Sequence, residues 1–246
     1  MNFINTESLT LETTSIKDYT KTPILQKNKK KKIEIIYGYE PLCGWCYGFS
    51  NEITAVISDL KSIADFKLAN GGIFAGFRSL KMGYISQHIK NNMKNVSDRS
   101  GRIFGEKFIK LLANDNYSYD SKKASIAVAI MREIYSEGAF EFASDIQTAF
   151  FQYGKDIQSD TTYIELLEDY PIDSDYFISR LNSKIEAEKI ELEFLNTQIL
   201  GFEGYPACAI KVNGHTEILN QGYLDASQII SKILYKMEEL NYSTPI

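Results

Sequence analysis

An α/β fold is predicted, with a four-stranded sheet and a helix-carrying crossover, interrupted by an all-helical insertion over residues 79 to 201. Three features predict it. A buried-strand signal, "KIEIIYGY" at 32 to 39, runs straight into a segment of helical period. From Ser79 to Gly201 the signals are helical. The chain then closes with two short strand-like runs joined at Asn213-Gly214 and one more amphipathic helix.

In chain order, residues 1 to 31 form a polar leader without periodicity, ending in a lysine run (Lys27, Lys29 to Lys32) that reads as a solvated segment ahead of the first strand. The first strand follows. Next comes "CGWCYGFSNEITAVISDLKSIA", a helix starting at or near Cys43, with Ile53, Val56, Ile57 and Leu60 at helical spacing. "DFKLANGGI" is the second strand, and Gly71-Gly72 marks a turn or a close backbone approach. Within the insertion, Ile126, Ala127, Ile130 and Ile134 share a face, and "AFEFASDIQTAFFQY" is another helix. Asp173 stands at the N-cap of "DSDYFISRL". "SKIEAEKIELEFLNTQIL" is read as charged on one side, with Ile185, Leu192, Leu195 and Ile199 on the other, and Gly201 stops it. "YPACAIKV" and "HTEILNQ" make the hairpin, and the last helix carries Ile229, Ile230, Ile233, Leu234 and Met237. The sheet domain is therefore assigned to 32–78 and 202–246, and the helical insertion domain to 79–201.

Composition narrows the function. The 246 residues carry a net charge of −5, which argues against nucleic acid or an anionic membrane as partner. No apolar run is long enough to span a membrane. The first twenty residues are interrupted by Glu7, Glu12 and Asp18 and read as no secretory signal, so a cytoplasmic protein is expected.

The three cysteines are too few for a disulfide framework. Cys43 and Cys46 stand two residues apart at a helix start, where unpaired N–H groups and the helix dipole favour a thiolate. Cys43 is expected at the helix mouth and Cys46 one turn in. Cys43 then attacks a substrate disulfide and Cys46 resolves the mixed disulfide. A strand, the Cys-x-x-Cys and a helix in succession put the thiols at the carboxyl edge of the sheet, where open α/β sheets carry their sites. Zinc is the competing reading. Cys208, His88 and His215 are the further ligands on offer, and neither histidine is paired at ligand spacing with another Cys or His, so no metal is assigned. Inert core cysteines are the remaining alternative.

Pro206 opens a strand in "GFEGYPACAI", and an aromatic before proline raises the chance of a cis bond. Beside the cysteine turn, a cis bond here leaves the N–H and C=O of Tyr205 free to pair with an extended substrate segment. A strand-initiating trans proline is the plainer reading. Strand alternation puts Cys208 on the same face as Pro206, either as a third thiol or as a small buried hydrophobe.

These stretches resemble the DsbA-like branch of the thioredoxin superfamily, and more narrowly the group of predicted protein-disulfide isomerases related to FrnE. The residues that carry the resemblance are "EPLCGWCYGF" (40–49), "NGGI" (70–73), "SGRIFGEKF" (100–108), "YDSKKASIAVA" (119–129), "AFFQYGKDI" (149–157) and "LGFEGYPA" (200–207). The resemblance implies a thioredoxin fold with a large all-helical insertion between the second and third strands. It also implies a redox-active Cys43–Cys46 pair, a cis Pro206 and no bound cofactor beyond the dithiol, with glutathione as an electron partner to consider. Two departures stand out. Glu40 occupies a position usually Asp, and it either aids proton transfer to Cys46 or merely ends the strand. The Gly44-Trp45 dipeptide lacks the His of strongly oxidising relatives. Gly44 fits a close approach to substrate. Trp45 either offers a flat face beside the nucleophile or packs on the inserted helices. Phe104, Phe150, Phe151 and Tyr153 are either an apolar groove for unfolded chain or core.

The expected activity is thus thiol–disulfide oxidoreduction or isomerisation of protein disulfides, with Cys43 and Cys46 catalytic and Gly44, Trp45, Tyr205 and Pro206 contacting substrate. Two alternatives belong to other classes. One is a glutathione-dependent enzyme of the kappa transferase or 2-hydroxychromene-2-carboxylate isomerase type, against which the intact cysteine pair counts. The other is a chaperone-like binding module.

Overall fold

The computed structural model describes residues 33 to 239; the leader and its lysine run lie outside them. Strand β1 (Ile33–Tyr39) sends Ile33, Ile35, Tyr37 and Tyr39 to one side of the sheet and Ile36 to the other. Helix α1 (Gly44–Leu60) follows, burying Ile53, Val56 and Leu60, and β2 (Asp65–Asn70) returns parallel to β1. After a 3₁₀ turn at Gly76–Arg78 come the two-residue β3 (Leu80–Lys81) and helices α2 (Met82–Ser100) and α3 (Glu106–Leu111). Strand β4 (Ser118–Tyr119) pairs antiparallel with β3, so the predicted insertion is not wholly helical. Helices α4 (Lys122–Ile134), α5 (Ala139–Phe151), α6 (Asp160–Leu167), α7 (Ser174–Leu181) and α8 (Lys184–Ile199) complete it.

Strands β5 (Ala207–Val212) and β6 (His215–Gln221) then form a hairpin, and α9 (Ala226–Glu239) is the last described element. The sheet order is β2-β1-β5-β6, with β5 antiparallel to β1. The hairpin turn has Asn213 at φ 53° and Gly214 at φ 85°, the left-handed pair that a tight two-residue loop demands. Gly201, at φ 84°, stops α8 as expected.

One hydrophobic cluster runs from β1 and α1 through α2, α4 and α5 to α7 and α8. The core is therefore continuous across positions 78/79 and 201/202. On the other face of the sheet, Phe202 covers Ile36, Ala207 and Ala209.

Helix α8 departs from expectation. Ile185, Leu192, Leu195 and Ile199 face solvent, while Glu186, Ile190, Phe194 and Thr197 are buried. Apolar residues lie on more than one side of this helix, so spacing alone selects no face. Packing against α4 and β2 turns Ile190 and Phe194 inward, and Arg180 neutralises the buried Glu186. Asp173 caps α7 by accepting from the Tyr176 N–H at 2.7 Å.

Candidate active site

The site lies where β1 passes into α1. Tyr39 ends the strand, and Glu40, Pro41 and Leu42 turn the chain, with the Cys43 N–H donating to the Glu40 carbonyl at 3.0 Å. Neighbouring elements pin that turn. The Tyr119 hydroxyl donates to the Leu42 carbonyl, and the buried Gln147 amide donates to the carbonyls of Glu40 (3.2 Å) and Pro41 (3.4 Å). Strand β4 and helix α5 thus hold the turn that presents the cysteines.

Cys43 is the N-cap of α1, and its Sγ accepts from the Cys46 N–H at 3.4 Å, the bond usually given by a hydroxyl or carboxylate cap. Cys43 is partly exposed and Cys46 fully buried one turn in; both are thiols. Burial, and then the adjoining Cys43 sulfur, pushes the Cys46 thiol well above its ordinary value, so it stays protonated at neutral pH. The Cys43 thiol donates to the Tyr205 carbonyl at 3.4 Å. The Tyr205–Pro206 bond is cis, and the Pro206 carbonyl accepts from Gly222 N–H at 2.7 Å. The sequence reading leaves the Tyr205 carbonyl free for substrate; in the structure the Cys43 thiol occupies it. The Tyr205 ring lies against Phe202 and where a side chain on Gly71 would stand.

An apolar cleft of about 180 Å³ opens beside Cys43. Gly44 and Trp45 line it from α1, Ile73 and Phe74 from the loop after β2, and Ile85, Ile89, Met93 and Val96 from α2. Phe104 and Phe151 line it too. Of the other aromatics expected there, Phe150 packs into the core against Phe108 and Phe151, and Tyr153 is exposed. Tyr205 and Pro206 are not among the lining residues. A Cβ at Gly44 would meet the Phe104 ring at 3.6 Å, ordinary contact, so the fold itself does not require glycine there. The aromatic partner of Trp45 is Tyr223, from the segment before α9, at 6.0 Å between ring centres.

Three features escape sequence reasoning. Glu40 does more than end a strand. It is fully buried, and its carboxylate accepts from the Ile73 N–H at 2.8 Å, tying the "NGGI" loop to the cysteine turn. Burial pushes it up to about 7, against the drawing-down of Ser121, the Ile73 and Leu42 N–H groups and Arg78. The second feature is the α2 stripe at 85, 89, 93 and 96, whose helical spacing in "MGYISQHIKNNMKNVSDRS" could have signalled it. The third is His88, weighed from the sequence as a metal ligand. It is exposed and also borders the cleft. Cys208 is core: burial alone pushes its thiol up to about 12, and it faces Tyr37 across the sheet. His215 is exposed at the start of β6. Among the described residues no three His, Cys, Asp or Glu side chains converge to hold a metal, and no helix is long and apolar enough to cross a membrane.

No family model matches the chain, and no curated protein matches it by sequence. Solved structures do. A candidate protein disulfide isomerase from Nitrosomonas europaea superposes with a TM-score of 0.75 at 20% identity, over 85% of this chain and 99% of that one. The cytosolic disulfide reductase DsbM from Pseudomonas aeruginosa gives 0.69 at 20% identity, over 85% and 100%. A 2-hydroxychromene-2-carboxylate isomerase gives 0.57 at 10% identity, over 86% and 100%. These likenesses, with the β2-β1-β5-β6 sheet and the helices between β2 and β5, show that the chain has the DsbA-like thioredoxin fold.

Proposed function

We propose that this protein is a thiol–disulfide oxidoreductase acting on protein disulfides, with Cys43 as the attacking residue and Cys46 as the resolving one. The observation that carries the reading is the asymmetry of the pair. Cys43 is partly exposed at the mouth of α1 and is part of the lining of the apolar cleft, while Cys46 is buried one turn in and its thiol kept protonated.

In the reductive direction the Cys43 thiolate attacks one sulfur of a substrate disulfide. A Cys43–substrate bond forms, the substrate disulfide breaks, and a thiolate leaves. Cys46 then attacks Cys43, releasing the second substrate sulfur and closing the 43–46 disulfide. Its proton passes to the departing thiolate, and two electrons have moved from the protein to the substrate. If a substrate thiol displaces Cys43 first, the substrate disulfide is rearranged with no net electron transfer. The Cys43 hydrogen bond to the Tyr205 carbonyl ends once the thiol proton is gone, which frees that carbonyl for a substrate backbone N–H.

The DsbM neighbour is described as a disulfide reductase, and a second DsbM structure contains glutathione, which supports thiol–disulfide exchange in the reductive direction here. The same neighbour is described as cytosolic, which supports a cytoplasmic setting here.

Insulin reduction tests the reading. Cys43→Ser is expected to abolish turnover, and Cys46→Ser to accumulate a mixed disulfide visible by mass. Undiminished insulin reduction by Cys43→Ser counts against the proposal. A thiol-free protein that still suppresses aggregation favours the chaperone-like alternative.

A further inference from the structure

The cleft beside Cys43 differs in two ways from a site built for a small charged thiol. Among the described residues, no Lys, Arg, Asp or Glu side chain lines it. Its polar lining is Tyr119, whose hydroxyl donates to the Leu42 carbonyl, with His88 and Asn92, one helical turn apart on α2, the Asn92 amide lying 2.9 Å from the His88 carbonyl and 3.4 Å from its ring Nε2. Glutathione carries two carboxylates, which find no fixed cation on these walls and lose hydration against apolar ones.

Size is the second difference. Sites for drug-sized ligands measure roughly 300–1,000 Å³, whereas an apolar cavity of about 150 Å³ accepts a benzene ring. At about 180 Å³ this cleft suits one large apolar side chain. Its wall is a stripe of α2, Ile85, Ile89, Met93 and Val96, facing Phe74 and Phe104. Because Cys43 is itself part of the lining, an occupant of the cleft is a close chain neighbour of the cysteine under attack.

We infer that the cleft selects protein disulfides in which a Phe- or Leu-sized residue adjoins the reacting cysteine, and that it discriminates against glutathione disulfide. This rests on the redox reading of Cys43 and Cys46. The chemistry is the exchange already described: the Cys43 sulfur bonds to the substrate sulfur next to the apolar residue, the other substrate half leaves as a thiolate, and closure of the 43–46 bond delivers two electrons to the substrate.

The test is a single turnover of the fully reduced, full-length protein, stopped by acid and read as loss of alkylatable Cys43 and Cys46 by mass. Three oxidants are compared: dimeric disulfides of two short neutral peptides that differ only in a Phe or a Ser flanking the cysteine on both sides, and glutathione disulfide. Partial burial of one aromatic side chain predicts a second-order rate about tenfold higher for the Phe peptide than for either other oxidant. Met93→Lys, with its fold checked by thermal unfolding, is expected to shrink that preference and to raise the rate with glutathione disulfide. Equal rates for the Phe and Ser peptides, or glutathione disulfide as the fastest oxidant, overturn the selectivity while leaving the redox reading intact. Failure of all three to oxidise the pair ends both.

Discussion

Glu40→Gln removes a carboxyl that titrates inside the protein and leaves a side chain of nearly the same shape. In the folded protein this group stands at about 7, against 4.5 for a free glutamate, chiefly because it is buried. A folded value raised in this way contributes stability that is complete below pH 4.5 and is lost as pH climbs through 7. At about 1.4 kcal/mol for each pH unit between the two values, the full loss is about 3.5 kcal/mol, of which about 2.5 kcal/mol falls between pH 5 and pH 8. The variant's amide has no charge to expel from the core, and its oxygen remains an acceptor for the Ile73 N–H. Urea unfolding of both proteins at pH 5 and pH 8, under reducing conditions, measures the difference. The variant is expected to gain about 2.5 kcal/mol on wild type across that interval. A difference that stays level within about 0.5 kcal/mol refutes the reasoning, because a carboxyl solvated or ion-paired in the fold would already be charged at pH 5.

Three further outcomes follow from the packing. Cys208→Ala is expected to leave insulin reduction unchanged within about twofold while costing about 1 kcal/mol in urea unfolding, since it removes one buried sulfur from the core. In the native wild-type protein, alkylation is expected to spare Cys208. Gly72→Ala is expected to cost about 3 kcal/mol: the residue sits at φ 63°, and an added Cβ would fall 2.5 Å from the Phe194 ring. A thermal unfolding midpoint within about 2 °C of wild type would show that the ring yields freely.

The elements that sequence patterning places well carry strong local codes. β1 is an Ile- and Tyr-rich run, the hairpin turns on Asn-Gly, and α7 begins at an Asp that caps it. The cysteines are legible because a pair two residues apart after a strand and before a helix leaves few readings. Helix α8 misleads because two apolar stripes compete on its surface and a one-dimensional period cannot rank them. Glu40 is undervalued by sequence for a related reason. Its burial is produced by the "NGGI" loop and by α4 and α5, which reach it only in the folded chain.

By itself, then, the sequence determined the kind of chemistry available: two thiols at a helix start, ahead of a proline that opens a strand. Those are local matters of spacing and backbone preference. The folded chain alone decided that Cys46 is buried behind Cys43, that the Tyr205 carbonyl meets the Cys43 thiol across 162 residues of sequence, and that α2 lays an apolar wall beside Cys43. Burial and cross-chain contact are sums over distant segments, and no local window of residues contains them.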